Sequence, residues 1–145
     1  MISFLKNQYN SIKIGDATKS NINLLDSENT FTITTGHQLN IFTGPLYFLY
    51  KIVSTINLTE QLKKEFPNCN FVPVYWMATE DHDFEEINYF NFNGQKVVWD
   101  RTSSGAVGRL NTVGFANVFE KFSQQLENTT NANFIKALFE KSYVG

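Results

Sequence analysis

A chain of 145 residues has room for one domain and no more. With 42% hydrophobic and 18% charged residues it is not a disordered tail, which would be poorer in apolar groups and richer in charge. A net charge of −2 and an isoelectric point near 5.6 lack the basic excess of a nucleic-acid binder.

Residues 1–29 are polar and rich in Asn and Ser, with scattered apolar residues at Ile2, Phe4, Leu5, Ile12 and Ile14. They read as a loosely structured lead-in with a short helix around Leu24. The first eight residues carry no basic stretch followed by an apolar one, so no signal peptide is expected. No apolar run anywhere approaches the roughly 18–20 residues of a membrane span. Thr30–Thr35 is β-branched and aromatic, which suits a strand ended by Gly36. A loop, His37–Thr43, leads to Gly44 and Pro45. Proline is favoured at the first helical position, so Thr43 or Gly44 is the expected N-cap.

Leu46, Leu49, Val53 and Ile56 recur at three- and four-residue steps, and Leu62 and Phe66 follow. The spacing predicts a helix from Leu46 to about Phe66, with Lys63 and Lys64 at its negative end and Pro67 as its stop. Phe71–Met77 predicts a second strand, apolar on both faces, as in a parallel strand covered by helices on both sides. Pro73 removes a ladder donor and belongs near the strand's beginning. Cys69 precedes this strand. A lone cysteine cannot form an internal disulfide, which fits a reducing, cytosolic setting.

Strand, helix and strand make a right-handed βαβ unit. The acidic segment Thr79–Glu86 follows it. Five of the chain's 14 acids fall within residues 80–86, and the other 138 residues carry a net charge of +3. One short segment therefore sets the sign of the whole. Ile87–Phe92 and Lys96–Asp100 flank Asn93-Gly94, a hairpin signal. Ser103–Gly108 reads as a loop. Val113–Leu126 and Ala132–Tyr143 read as helices. The expected fold class is α/β: a Rossmann-like parallel sheet, incomplete, with a β-hairpin and C-terminal helices. The domain proper would run from 30 to 145.

In an open α/β sheet, ligands bind beyond the carboxyl ends of the parallel strands. Two polar segments, Thr35–Gln38 and Thr79–Asp83, are expected there, facing each other across roughly 5–10 Å. Each holds one of the chain's two histidines, His37 and His82. Gly36 would let a backbone approach a ligand, and the helix start at Pro45 would offer N–H groups to an anion. His37 could hydrogen-bond a developing oxyanion. A tight turn with a solvated histidine explains the same residues equally well.

Glu80, Asp81, His82 and Asp83 suit metal binding, acid/base work or recognition of a substrate amine. Their spacing matches no closed zinc pattern, so no metal is expected. A solvated helix start, where acids complement the dipole, is the plain alternative. Tyr47 and Lys51 share a helical face, and Lys51 could reach a phosphate or carboxylate. Arg109, after Gly105-Ala-Val-Gly108, could clamp an anion. An ordinary surface lysine explains Lys51 equally well, and a surface charge is the alternative for Arg109. Trp76 at the end of the second strand is more often core than ligand platform. Cys69 lies away from both polar segments, which makes a cysteine nucleophile unexpected.

Thr34-Thr-Gly-His-Gln-Leu-Asn-Ile-Phe-Thr-Gly-Pro-Leu-Tyr-Phe-Leu-Tyr-Lys51 resembles the TGQQ and FTGPLY stretch of the bacillithiol-biosynthesis cysteine-adding enzymes. Val72-Pro-Val-Tyr-Trp-Met-Ala-Thr-Glu-Asp-His-Asp-Phe-Glu-Glu-Ile87 is similar to their VPVFW and EDHDF stretch, and Gly105–Arg109 to a third, shorter block. The resemblance covers residues 1–110 well and the helical remainder loosely. It implies a Rossmann-like core, similar to class I nucleotidyltransferases, and a ligase joining L-cysteine to the amine of glucosaminyl malate. Glu80, Asp81, His82 and Asp83 would be catalytic. Thr35, Gly36, His37, Gln38, Thr43, Gly44, Tyr47, Lys51, Trp76 and Arg109 would bind substrate. His37 departs from the family, many of whose members carry Gln there, which fits a polar contact better than proton transfer.

The cofactor is left open by the resemblance; ATP or another nucleotide is one option. Small molecules are the implied partners, with no nucleic acid and no membrane. Family members are several times longer and dimerise through a coiled coil. A chain of 145 residues is therefore expected to be an N-terminal fragment, inactive alone. Two further readings stay open: a non-catalytic module that binds a nucleotide or sugar acid, and a divalent-metal hydrolase.

Overall fold

The structure is a computed structural model that describes residues 2–144. Among the described residues, six α-helices and four strands follow in the order α1 (Ile2–Gln8), α2 (Asp16–Leu24), β1 (Thr30–Gln38), α3 (Leu46–Glu65), β2 (Asn70–Ala78), α4 (Phe84–Ile87), β3 (Tyr89–Phe92), β4 (Gln95–Val98), α5 (Phe115–Ser123) and α6 (Thr130–Phe139). A short 3-10 turn, Val107–Arg109, precedes α5, and a π-helical turn, Glu140–Val144, follows α6. The chain divides into two compact units, Met1–Gly36 with Tyr47–Trp76 and His37–Leu46 with Met77–Gly145.

The architecture is mixed α/β. β1 and β2 form a two-stranded parallel sheet, and β3 and β4 a separate antiparallel hairpin. The lead-in is more ordered than its composition suggests. Two helices occupy it, and α2 ends at Leu24 with Ile22 buried. The Thr30 hydroxyl then donates to the Leu24 carbonyl at 2.6 Å, tying the helix end to the first strand.

β1 does not stop at Gly36 but continues to Gln38. Glycine is tolerated there because its missing side chain makes room for a neighbour. A Cβ on Gly36 would lie 3.0 Å from the Trp76 carbonyl oxygen and 3.1 Å from the Trp76 Cβ. Helix α3 starts at Leu46, so Pro45 precedes its first residue. The stripe whose spacing marks this helix is not the one it buries. Phe48, Ile52, Thr55 and Leu62 are half-buried and Thr59 is 1% exposed. Leu46, Leu49, Val53 and Ile56, displaced around the helix, are 42–66% exposed. Thr59 satisfies its buried hydroxyl on the Thr55 carbonyl at 2.7 Å, one turn back.

The expectation of a second strand covered on both sides needs the same correction. Phe71 and Val72 are buried, but Tyr75, Trp76 and Met77 are exposed. Aromatic pairs on this strand, Phe31–Phe71 at 5.8 Å, Phe66–Phe71 at 6.3 Å and Phe48–Tyr75 at 5.6 Å, involve only Phe71 and Tyr75 of its residues. Pro73 is the fourth residue of β2 rather than the first. A two-stranded sheet leaves each strand a free edge, so a missing donor costs little there.

The second unit has the closed core. Phe84, Ile87, Val97, Trp99, Val107, Phe115, Val118, Phe122 and Phe139 are all buried in one cluster with Ile41. Asn93 and Gly94 turn the hairpin with φ of +49° and +74°, the pair of left-handed residues a tight hairpin needs. Thr129 caps α6, its hydroxyl accepting from the Ala132 N–H at 3.2 Å. α5 is shorter than the expected Val113–Leu126, beginning at Phe115 after Gly114 at φ +94°, whereas α6 and its π-helical continuation extend past the expected Ala132–Tyr143 at both ends.

Candidate functional site

The first motif folds into a compact strand end and loop. His37 and Gln38 close β1, and Asn40 folds back on them. The Asn40 amide donates to the Gln38 carbonyl at 3.1 Å and lies 3.1 Å from His37 Nδ1. His37 Nδ1 is also 2.9 Å from the Gln38 carbonyl. One ring nitrogen of His37 is therefore engaged in its own loop, a structural contact rather than a free base. Gly44 sits against Asn40: a Cβ would lie 3.0 Å from Asn40 Cβ, and its φ is +64°.

Phe42 anchors the same loop. It is a non-glycine residue at φ +61°, a conformation that persists only where surroundings impose it. Its ring stacks on Phe90 at 4.7 Å and meets Phe122 edge-on at 5.1 Å. The Tyr143 hydroxyl donates to the Phe42 carbonyl at 3.3 Å, and burial pushes the Tyr143 phenol up from its ordinary value near 10. The Ile41 N–H donates to the Ile87 carbonyl at 3.2 Å. The loop is thus held from three directions within its own unit.

The acidic segment leaves β2 as an extended turn and enters the four-residue helix α4, whose Phe84 and Ile87 point into the core. The Asp83 N–H donates to Asp81 Oδ1 at 2.9 Å, and the Phe84 N–H to the His82 carbonyl at 3.0 Å. Asp81 is half-buried; Glu80, His82 and Asp83 are exposed. Two buried residues thus fix a run of charge against solvent. Among the described residues, no three His, Cys, Asp or Glu side chains stand where they could hold a metal ion.

The two motifs meet. The Gln38 amide donates to Glu86 Oε2 at 2.8 Å across 48 residues of chain. Glu86 belongs to the acidic segment but not to its candidate site residues, because Glu80–Asp83 carry the denser pattern. Asn40 and Phe42 escaped the sequence reading. Their roles are a fold-back hydrogen bond and a forced backbone angle, and neither leaves a spacing signature.

In the other unit, the Lys51 ammonium donates to the Gly36 carbonyl. It fastens α3 to the end of β1 instead of waiting for an anion. Trp76 is 60% exposed, so it is not core, and its backbone and Cβ fill the space that Gly36 leaves. Tyr47 is exposed, and Thr35 is half-buried near the end of β1. Burial raises the Tyr75 phenol pKa. In the second unit, Thr43 and Arg109 are exposed and Gly44 half-buried.

Residues 1–145 match the family model described as "Bacillithiol biosynthesis BshC, N-terminal Rossmann-like domain". The chain belongs to this family. Its relatives include a protein of Flavobacterium johnsoniae, 63% identical over 99% of this chain, and one of Flavobacterium psychrophilum, 60% identical over the same share. A Bacillus thuringiensis protein is 42% identical over 57% of the chain. All three carry the name "Putative cysteine ligase BshC". The chain spans 27% of the length of each Flavobacterium relative and matches 15% of the Bacillus one.

Proposed function

We propose that this domain supplies part of the active site of a ligase that joins L-cysteine to the amine of glucosaminyl malate in bacillithiol biosynthesis. The observation that carries this reading is the 2.8 Å bond from Gln38 to Glu86, which joins the first motif to the acidic segment in a chain of this family. Two distant stretches of sequence bring polar groups together at the end of β1, and α/β folds bind ligands beyond their strand ends, which supports the reading.

Amide formation needs the cysteine carboxylate activated by a nucleoside triphosphate such as ATP, as an acyl phosphate with release of the nucleoside diphosphate or as an adenylate with release of pyrophosphate. The sugar nitrogen then attacks the carbonyl carbon and expels phosphate or the nucleoside monophosphate. The attacking nitrogen must be an uncharged amine and must lose a proton as the C–N bond forms. Asp81, His82 and Asp83 are the groups assigned to holding that amine and taking its proton. Gln38 is assigned to polar recognition, its amide nitrogen already turned toward Glu86. Gly36 does not argue for a phosphate cradle: Trp76 fills the space beside it and Lys51 takes its carbonyl. No nucleotide is therefore assigned to this segment. No helix among the described residues is long and apolar enough to cross a membrane. A cytoplasmic enzyme acting on small molecules is the setting this reading implies.

The test uses a full-length member of the family carrying this domain. Asp81→Asn and His82→Ala should each abolish product, followed by chromatography of the fluorescently labelled thiol. Unchanged product in both would remove these residues from the chemistry.

A further inference from the structure

Gly105-Ala-Val-Gly-Arg109 invites reading as an anion-binding loop, but its contacts lie elsewhere. The Val107 N–H donates to the Asp81 carbonyl at 2.7 Å, and the Gly108 N–H to the Thr79 carbonyl at 2.9 Å. Val107 is 5% exposed and belongs to the aromatic core. The segment is therefore fixed at one residue and grips the acidic segment with its backbone.

Gly108 makes that grip feasible. A Cβ there would lie 2.5 Å from Thr79 Cβ, 2.9 Å from Thr79 O and 3.0 Å from Thr79 Cγ2. At such distances something must shift, and what it meets is mostly backbone and the rigid base of a β-branched side chain. Gly105 offers a contrast within the same block. Its φ is +80° with nothing within 4 Å of a Cβ, so conformation and not space requires glycine there.

We infer that Gly108 is a positioning residue. Its missing side chain lets two N–H groups hold the Thr79 and Asp81 carbonyls, and so sets where Asp81, His82 and Asp83 stand. The assignment rests on the proposed role of those three residues, so its test has one arm that needs no activity.

In the full-length enzyme, Gly108→Ala should lower kcat about a hundredfold while the KM for cysteine changes less than about threefold, as expected for catalytic groups misplaced by about 1 Å. A merely structural role would lower the unfolding midpoint and leave kcat per folded molecule unchanged. Adding Thr79→Gly removes two of the three close atoms and should restore kcat about tenfold relative to Gly108→Ala alone.

Amide hydrogen exchange supplies the independent arm. The Val107 and Gly108 amides should exchange slowly in the parent, fast in Gly108→Ala, and slowly again in the double variant. Unchanged protection in Gly108→Ala overturns the inference. So does a double variant that stays unfolded or inactive while Thr79→Gly alone is folded and active. If Asp81→Asn leaves product unchanged but exchange follows the expected pattern, the functional reading fails and the grip stands.

Discussion

The two units use the same apolar vocabulary with opposite results. In the second, nine buried residues between Phe84 and Phe139, with Ile41, close a core in which Phe42, Phe90, Phe122 and Phe139 touch one another at ring distances of 4.7–6.4 Å. In the first, α3 is apolar on two faces and buries only one, and β2 buries only its first half. Apolar residues lower the free energy of a fold only where something packs on them. An apolar pattern therefore reports what a segment can bury, and the partner decides what it does bury.

The largest effect should come from breaking the closed core. Phe122 is 1% exposed and lies at the centre of the ring cluster. Phe122→Ala should cost about 3–5 kcal/mol, read by denaturant unfolding. A cost under about 1.5 kcal/mol would mean the core collapses around the gap and is less tightly built than its rings suggest.

Tyr143→Phe removes only the donor to the Phe42 carbonyl and should cost about 1 kcal/mol. The pH dependence has a definite sign. The folded phenol titrates above its ordinary value near 10, so its stabilisation is whole below that pH and is lost as pH rises through the raised value. Parent protein should therefore lose stability on the alkaline side more steeply than the Phe variant. Parallel curves between about pH 9 and 11 would show that Tyr143 is not the group responsible.

The smallest effect belongs to the open face. Leu49→Gln and Val53→Gln on α3 should each change unfolding free energy by less than about 0.5 kcal/mol in this chain, and should reduce self-association in light scattering. A loss above about 1.5 kcal/mol would show that this stripe is covered in solution and would erase the contrast between the units.

The elements with local causes were legible from residues alone. Asn93-Gly94 announced its hairpin because two left-handed residues are needed there, and Thr30, Leu46 and Phe71 marked element starts within one residue of where they occur. The two motifs were legible as polar segments near strand ends, and Gln38 and the acidic segment do meet through Glu86. Glu86 itself, Asn40, Phe42 and Gly108 were not legible as members of the arrangement. Each acts through a contact made by chain closure, which leaves no periodicity. Lys51 was legible as a cation but not as the partner of Gly36.

Composition, charge placement and spacing determined by themselves the α/β class, the βαβ order, the hairpin and the two stretches worth attention. These follow from backbone preferences and hydrophobic period, which act over a few residues. Only tertiary structure decided which face of α3 is buried, why Gly108 leaves no room for a side chain and Gly36 little, and what holds the acidic segment in place. Those outcomes depend on which atoms occupy the space next to a residue, and that neighbour is set by the folded chain as a whole.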